Sequence, residues 1–329
     1  MRFLLDDEQQ AFARSLDGML AAADTPAVVR AWASGDTAPG RALWSRLAEA
    51  GVFALAVPEQ HDGLGPLPVE LTVAFTQLGC HAVPGPLVET VAAAAFLDRL
   101  GDEAAAAAWL PGIASGKTAA TLCLLSPDSP YALDAHAADV VFVADGDTVR
   151  LAETAGPVQS SADPARRPAR PLGGTVLARG PGVAAAAAHA ADVAALATAA
   201  QALGLGRTLL ERTVEYARQR TQFGVAIGSF QAVKHRLADA LIALEFAQPL
   251  IHAAALALAS AAPGAGREIA AAKVSACEAA YTAARTALQL HGALGYTEAP
   301  ALSLWIRKAR ALRSAWGTPA ACRARVLAP

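Results

Sequence analysis

The chain has 329 residues, 54% of them apolar and 17% charged, with a formal net charge of −2. That length holds two or three cooperating units with sizeable cores. The near-neutral balance and the lack of a basic run argue against a nucleic-acid surface, and the excess of alanine favours helices with wide buried faces.

Residues 1 to about 116 read as helices. "DDEQQAFARSLDGMLAAA" sets apolar residues at helical spacing behind an acidic first turn. This start carries no apolar stretch of the kind a secretory leader needs, so none is expected. "ALWSRLAEAGVFAL" holds a shorter helix stopped at Gly51, and "VPEQHDGLGPLP" is a Gly/Pro-rich loop. "PVELTVAFTQLGCHAVPGPLVETVAAAAFLDRLG" then gives two helices, separated by the break at residues 84–86.

From about Lys117 to Gly182 the pattern changes. "TAATLCLL" and "DVVFVADGDTVRLAET" carry β-branched runs, with Asp145-Gly146 as a hairpin signal. "VQSSADPARRPARPLGGTVLARGPG" is loop with one more strand.

Long helices return after Val183. One covers about 185–218, a turn follows in "RTQFGVAIGS", and a second helix starts near Phe230. Phe230, Val233, Leu237, Leu241 and Leu244 form one apolar stripe on it. Pro263-Gly264 ends that helix. A third runs over about 267–291 and a fourth over about 299–313. Four helices with short connections predict an antiparallel bundle. The most apolar run, "AAAAAHAADVAALATAAQALGLG", is mostly alanine and is interrupted by His189 and Asp192, so it reads as a buried helix and no membrane span is expected. Cys80, Cys123, Cys277 and Cys322 lie far apart and read as buried thiols, without metal. No dinucleotide-binding glycine pattern follows a predicted strand.

At "RTQFGVAIGSFQAVKHRLAD" and "QLHGALGYTEAPALSLWIRKARALRSAWGT" the chain resembles the acyl-CoA dehydrogenases, and "GVFALAVPEQHDGLG" is similar to that family's N-terminal signature. The resemblance covers all three regions. It implies a mainly α fold with an N-terminal helical domain (1–116), a shortened middle β-domain (117–182) and a C-terminal four-helix-bundle domain (183–329). It implies FAD, shared across a subunit interface, as the cofactor. A carboxylate removes the α-proton of an acyl thioester, and its basicity must be tuned by partial desolvation.

By resemblance, Arg220 matches the arginine that reaches a neighbour's FAD pyrophosphate, a target that suits a guanidinium fork. Gln222 and Phe223 follow it in the same motif. Gln231 matches a position beside the adenosine, and Gln289 and Gly292 match the segment that approaches the diphosphate. The family usually has two adjacent glycines there, where this chain has Gly292-Ala293. Read without the family, Arg220 is a cation at a helix C-terminus, which the dipole favours. His235 and His291, near helix ends, read as structural.

Two family features are missing. The position of the catalytic glutamate, before Gly-Thr, holds Trp316, and an indole N–H only donates. Other branches place the base roughly two dozen residues before the motif arginine, near Ala194; Asp192 is two residues off, about 200° around a helix. No polar loop rich in Thr, Gly and Ser, of the kind that holds the flavin ring, occurs between Lys117 and Gly182. The resemblance is therefore closest to the smaller subunit of actinobacterial α2β2 acyl-CoA dehydrogenases that act on steroid CoA esters. It implies a larger dehydrogenase subunit as partner, an acyl-CoA substrate, an electron-transfer flavoprotein as acceptor and a cytoplasmic location. A self-sufficient homo-oligomeric dehydrogenase using Asp192, and a scaffold without flavin, are the other two readings.

Overall fold

The computed structural model describes residues 4–126, 129–296 and 301–328. Eleven α-helices among them are α1 (Asp7–Ala21), α2 (Thr25–Ser34), α3 (Ala38–Glu49), α4 (Pro68–Cys80), α5 (Leu87–Leu100), α6 (Glu103–Ala114), α7 (Pro181–Gln219), α8 (Gln231–Ala259), α9 (Ala265–His291), α10 (Leu302–Leu312) and α11 (Pro319–Leu327). The mainly α fold with a small β region is the one expected. The start expected for the fourth bundle helix, at about 299, lies outside the described residues.

The chain divides into two compact units. One comprises Ala27–Leu71 and Pro84–Ala194. It contains a four-stranded sheet in the order Ala120–Leu124, Val140–Asp145, Thr148–Leu151, Thr175–Arg179. The first pair is parallel and the others antiparallel. The first strand lies on α5, where the buried Thr90 hydroxyl donates to the Ala120 carbonyl at 2.6 Å. Strand pairing puts Asp145 opposite Thr148, so the hairpin loop is Gly146-Asp147, one residue later than the sequence signal. Gly146 takes φ 59°, which the tight turn requires. Trp32 on α2 anchors the loop before the second strand by donating to Asp134 Oδ1 at 3.0 Å.

The other unit comprises Met1–Pro26, Thr72–Val83 and Ala195–Pro329. Here α8 and α9 pack along their lengths, and α9 carries α10 and α11. The α4 and α7 backbones touch at a pair of glycines. A Cβ on Gly79 would strike the Gln201 carbonyl, and one on Gly204 the Thr76 carbonyl. Leu205, Leu209, Ala284, Ala287, Leu302 and Trp305 form the adjoining core. The carbonyls at the end of α4 are satisfied from this core. Thr208 Oγ1 and Trp305 Nε1 both donate to the Cys80 carbonyl, and buried Lys308 Nζ donates to that of Val83.

The C-terminal helices number one more than the sequence pattern indicated. Thr318 caps α11 by accepting from the Ala321 N–H at 3.2 Å, and Pro319 fills the first helical position. The stripe expected on α8 divides: Leu244 is fully buried, whereas Leu241 is 48% and Phe230 38% exposed. The face that α8 buries joins Leu244 and Ile251 to a majority of alanines, Ala240, Ala247, Ala254 and Ala255.

Candidate functional site

Arg220 follows directly on α7, whose last turn also carries Arg218, and two cations there oppose the negative end of the helix dipole. The chain then makes a minimal β-hairpin, Thr221–Gln222 against Val225–Ala226, before entering α8. The Arg220 backbone pins both sides of it. Its N–H donates to the Tyr216 carbonyl, and its carbonyl accepts from Ile227 N–H, each at 2.8 Å. With the backbone fixed, the exposed guanidinium extends from a defined point. No side-chain hydrogen bond or ion pair engages it among the described residues.

At the hairpin tip Phe223 has φ 54° and is 94% exposed, its ring edge-on to Phe230 at 6.3 Å. Exposure of that extent on an aromatic ring costs hydrophobic free energy that the chain alone does not recover. The Gln222 amide is turned back, donating to the Thr221 carbonyl at 2.9 Å. Gln231, the first residue of α8, is exposed, and no side-chain bond engages it among the described residues.

The second sequence motif lies at the end of α9. Gln289 is exposed in the last turn, and Gly292 ends the helix with φ 58° and ψ −134°. Nothing lies within 4 Å of where a Cβ on Gly292 would stand, so its backbone borders open space. The two motifs are joined by a ring stack: Tyr216, one turn before Arg220, lies on His291 with centroids 4.0 Å apart and planes 21° from parallel. His291 Nδ1 is 2.8 Å from the Ala287 carbonyl oxygen. Burial lowers the affinity of His291 for a proton, against a smaller opposite effect of that carbonyl. A neutral ring held in a stack is structural, as the sequence indicated. Tyr216 was not singled out in the sequence; its signal was its place one helical turn before the motif arginine, on the same face.

Arg220, Gln231, Gln289 and Gly292 thus present a guanidinium, two amides and an open backbone turn. The three side chains are donors that suit phosphate oxygens and a nucleotide, and Gly292, whose own N–H is taken by the Leu288 carbonyl, adds room for close approach, so the residues fit the nucleotide end of FAD.

Trp316 stands in a different local structure. It is half-buried, with φ 51°, and Gly317 follows at φ 122°. The turn is held from below by Lys273 of α9, which is 1% exposed. Its ammonium donates to the carbonyls of Leu312 (3.3 Å), Arg313 (3.5 Å) and Gly317 (3.2 Å). Arg313 is fixed in turn by Glu278, with Nε–Oε1 2.9 Å, and lies over Tyr281. In the sequence, one lysine in an Ala-rich helix carries no signal of such burial.

Asp192 lies half-buried on α7 beside His189, whose proton affinity burial and Arg99 lower while Asp192 and Asp98 raise it. Ala194, the position to which the motif spacing counts back, is fully buried. The two side chains therefore leave the helix in different directions, as about 200° of rotation requires.

Family profiles match both flanks of the chain: acyl-CoA dehydrogenase, N-terminal domain, over residues 6–117, and acyl-CoA dehydrogenase, C-terminal domain, over residues 180–328. Acyl-CoA dehydrogenase IpdE2 of Mycobacterium tuberculosis is 34% identical over 308 residues, 92% of this chain and 91% of that protein. Among solved structures, the ChsE4-ChsE5 complex from Mycobacterium tuberculosis is similar with a TM-score of 0.86 and 25% identity, covering 99% of this chain and 98% of that one. The Tcur3481-Tcur3483 steroid ACAD shares the fold with a TM-score of 0.83 at 24% identity, over 97% of this chain and 96% of that one.

Proposed function

The chain belongs to the acyl-CoA dehydrogenase family, and from that premise we propose that it is the smaller subunit of a heteromeric, FAD-dependent acyl-CoA dehydrogenase. One contrast carries this reading. The groups suited to a nucleotide tail are present and open, while the position of the family's base is an indole. Arg220 takes the pyrophosphate, Gln231 and the Phe223 ring the adenosine side, and Gln289 and the Gly292 backbone the diphosphate, with Gln222 shaping the hairpin. When bound, FAD supplies the hydride acceptor for α,β-desaturation of a CoA thioester. The partner subunit supplies the ring pocket and the carboxylate.

Trp316 fills the space that a base and thioester would otherwise use, a packing role suited to a large aromatic. The complex is an α2β2 heterotetramer, cytoplasmic, and passes electrons to an electron-transfer flavoprotein. Its substrate class is a steroid side-chain or ring CoA ester, a reading supported by similarity to a steroid dehydrogenase pair. Within this reading the domain limits are 1–116, 117–182 and 183–329.

The test is coexpression with a family subunit that keeps glutamate at the position of Trp316. The pair should copurify yellow, and Arg220→Ala in this chain should release flavin without dissolving the pair. Unchanged flavin content in that variant, or a yellow homo-oligomer of this chain that reduces ferrocenium with an acyl-CoA, would overturn the reading.

A further inference from the structure

Two thiols border the turn that carries Trp316, apart from the groups suited to a nucleotide. Lys273 Nζ donates to the carbonyls of Leu312 and Gly317 there, at 3.3 and 3.2 Å. Cys277, one turn further along α9, points its thiol at the same Leu312 carbonyl, with Sγ–O 3.6 Å. Cys322 reaches the turn from α11. A Cβ built on Gly317 would stand 3.0 Å from the Cys322 Sγ. One thiol thus comes from α9 and the other from α11, and these two helices pack on each other. Cys277 is 1% and Cys322 7% exposed. Of the other two cysteines, Cys80 ends α4 and Cys123 lies in the first strand of the sheet.

We infer that Cys277 and Cys322 are a redox-active pair, which hydrogen peroxide converts to a reversible disulfide that fastens α11 to α9 at the Trp316 turn. Helix α11 supplies the access. It is 9 residues long, and Cys322 is the residue that it buries. A helix so short is marginal by itself, so it opens from the body at low cost. Opening bares Cys322 and the α9 face that holds Cys277. The Cys322 sulfur attacks a peroxide oxygen and the O–O bond breaks. The departing hydroxide takes the thiol proton, leaving a sulfenic acid and one water. When α11 closes again, the Cys277 sulfur attacks that of Cys322. An S–S bond forms, the S–O bond breaks, and the hydroxide leaves as water with the proton of Cys277. Two thiols together lose two electrons and two protons, and one peroxide becomes two waters. Cys277 suits the second step. Burial raises its pKa, which makes it a poor first target, while Lys273 opposes that through its charge and a hydrogen bond and so favours the attacking thiolate. Closure also orphans no acceptor, because the Leu312 carbonyl keeps Lys273 as donor once the Cys277 hydrogen is gone. In a reducing compartment such a bond is transient. The pair does not depend on the dehydrogenase reading, because it involves this chain alone.

The purified full chain, reduced and then treated with hydrogen peroxide, should lose the mass of two hydrogens and two alkylatable thiols, with no crosslink between chains on a non-reducing gel. Trypsin should release residues 274–285 joined to residues 314–323, a pair that dithiothreitol separates. The oxidised chain should melt about 5 °C higher and revert on reduction. Cys277→Ala should stop the link and leave Cys322 as a sulfenic acid that takes up dimedone. Cys322→Ser should stop the link and leave Cys277 unlabelled. A disulfide through Cys80 or Cys123, or between chains, would overturn the proposal. So would dimedone on Cys277 in place of Cys322, Cys322 oxidised to the sulfinic acid beside a free Cys277, or a linked chain that melts with the reduced one. Four thiols still alkylatable under peroxide that converts glutathione to its disulfide would overturn it as well.

Discussion

Trp316 holds a backbone conformation that L-residues avoid, at a cost of about 1 kcal/mol. Its half-buried indole and the three carbonyl bonds from Lys273 offset that cost. Replacing it with glutamate puts a carboxylate at the position of the base, and on the proposed reading the ring pocket belongs to the partner subunit, so that carboxylate has nothing to act on in the isolated chain. We expect Trp316→Glu in the isolated chain to gain no activity with acyl-CoA and ferrocenium, and to lose about 1–2 kcal/mol in urea unfolding through lost aromatic packing. Arg220 allows a finer test than removal. Arg220→Lys keeps the charge and loses the bidentate fork, so FAD retention by the assembled complex should weaken roughly tenfold, less than with Arg220→Ala. Equilibrium dialysis of the complex reads both.

Helices α4 and α7 meet where no side chain fits. Gly204→Ala drives a methyl into the Thr76 carbonyl, so we expect a loss of about 3 kcal/mol, of the order of severe overpacking. Gly18→Ala on α1 is the control. Nothing lies within 4 Å of its Cβ, so it should stabilise by about 0.5–1 kcal/mol. Lys273→Met strips one buried and two part-buried carbonyls of their donor and should cost about 2 kcal/mol, with protection of α10 and α11 amides falling first in hydrogen exchange. Stability should also depend on pH through α7 and α9. Burial depresses the folded-state pKa of both His189 and His291 below the ordinary 6.5. The unfolded chain then binds protons first as pH falls, so stability is full above about 6.5 and declines below it. Thermal melts from pH 7.5 to 5 should fall, and His291→Phe, which keeps a ring against Tyr216, should flatten part of that slope. Caps and breaks made most elements readable: Gly51, the break at 84–86, and Gly292. Helix α2 was not. Its Thr25-Pro26 start is the same signal as Thr318-Pro319 before α11, and in both places a short apolar stretch behind it was too brief for periodicity to register. The α8 stripe misled because the core face there is mostly alanine beside Leu244 and Ile251, and alanine carries little weight in an apolar pattern.

Over the whole molecule, the part of the site that can be read from sequence is the part made of unusual residues in loops. Arg220, Gln231, Gln289 and Gly292 sit in turns and helix ends where few residue types suffice. What joins them, the Tyr216–His291 stack, comes from two helices far apart in sequence and appears only on folding. Lys273 escaped for the same reason: its partners are carbonyls, which have no sequence signature. Charge distribution supports the nucleotide-end role. In residues 195–329 basic residues outnumber acidic ones about two to one, although the full chain is slightly negative, and a positive field favours an anionic diphosphate. The nucleotide tail, rather than the ring, should therefore decide what this subunit holds. FMN has the isoalloxazine but lacks the AMP portion of FAD, so it forgoes the contacts assigned to Gln231, Phe223 and Gln289 and most of those to Arg220. Two or more charge-assisted hydrogen bonds are worth about 3 kcal/mol or more together, so the complex should retain FAD at least roughly 100-fold more tightly than FMN. Arg220→Ala should narrow that ratio by weakening FAD more than FMN. A ratio near one in the wild-type complex, or one that Arg220→Ala fails to reduce, would place the nucleotide contacts on the partner instead.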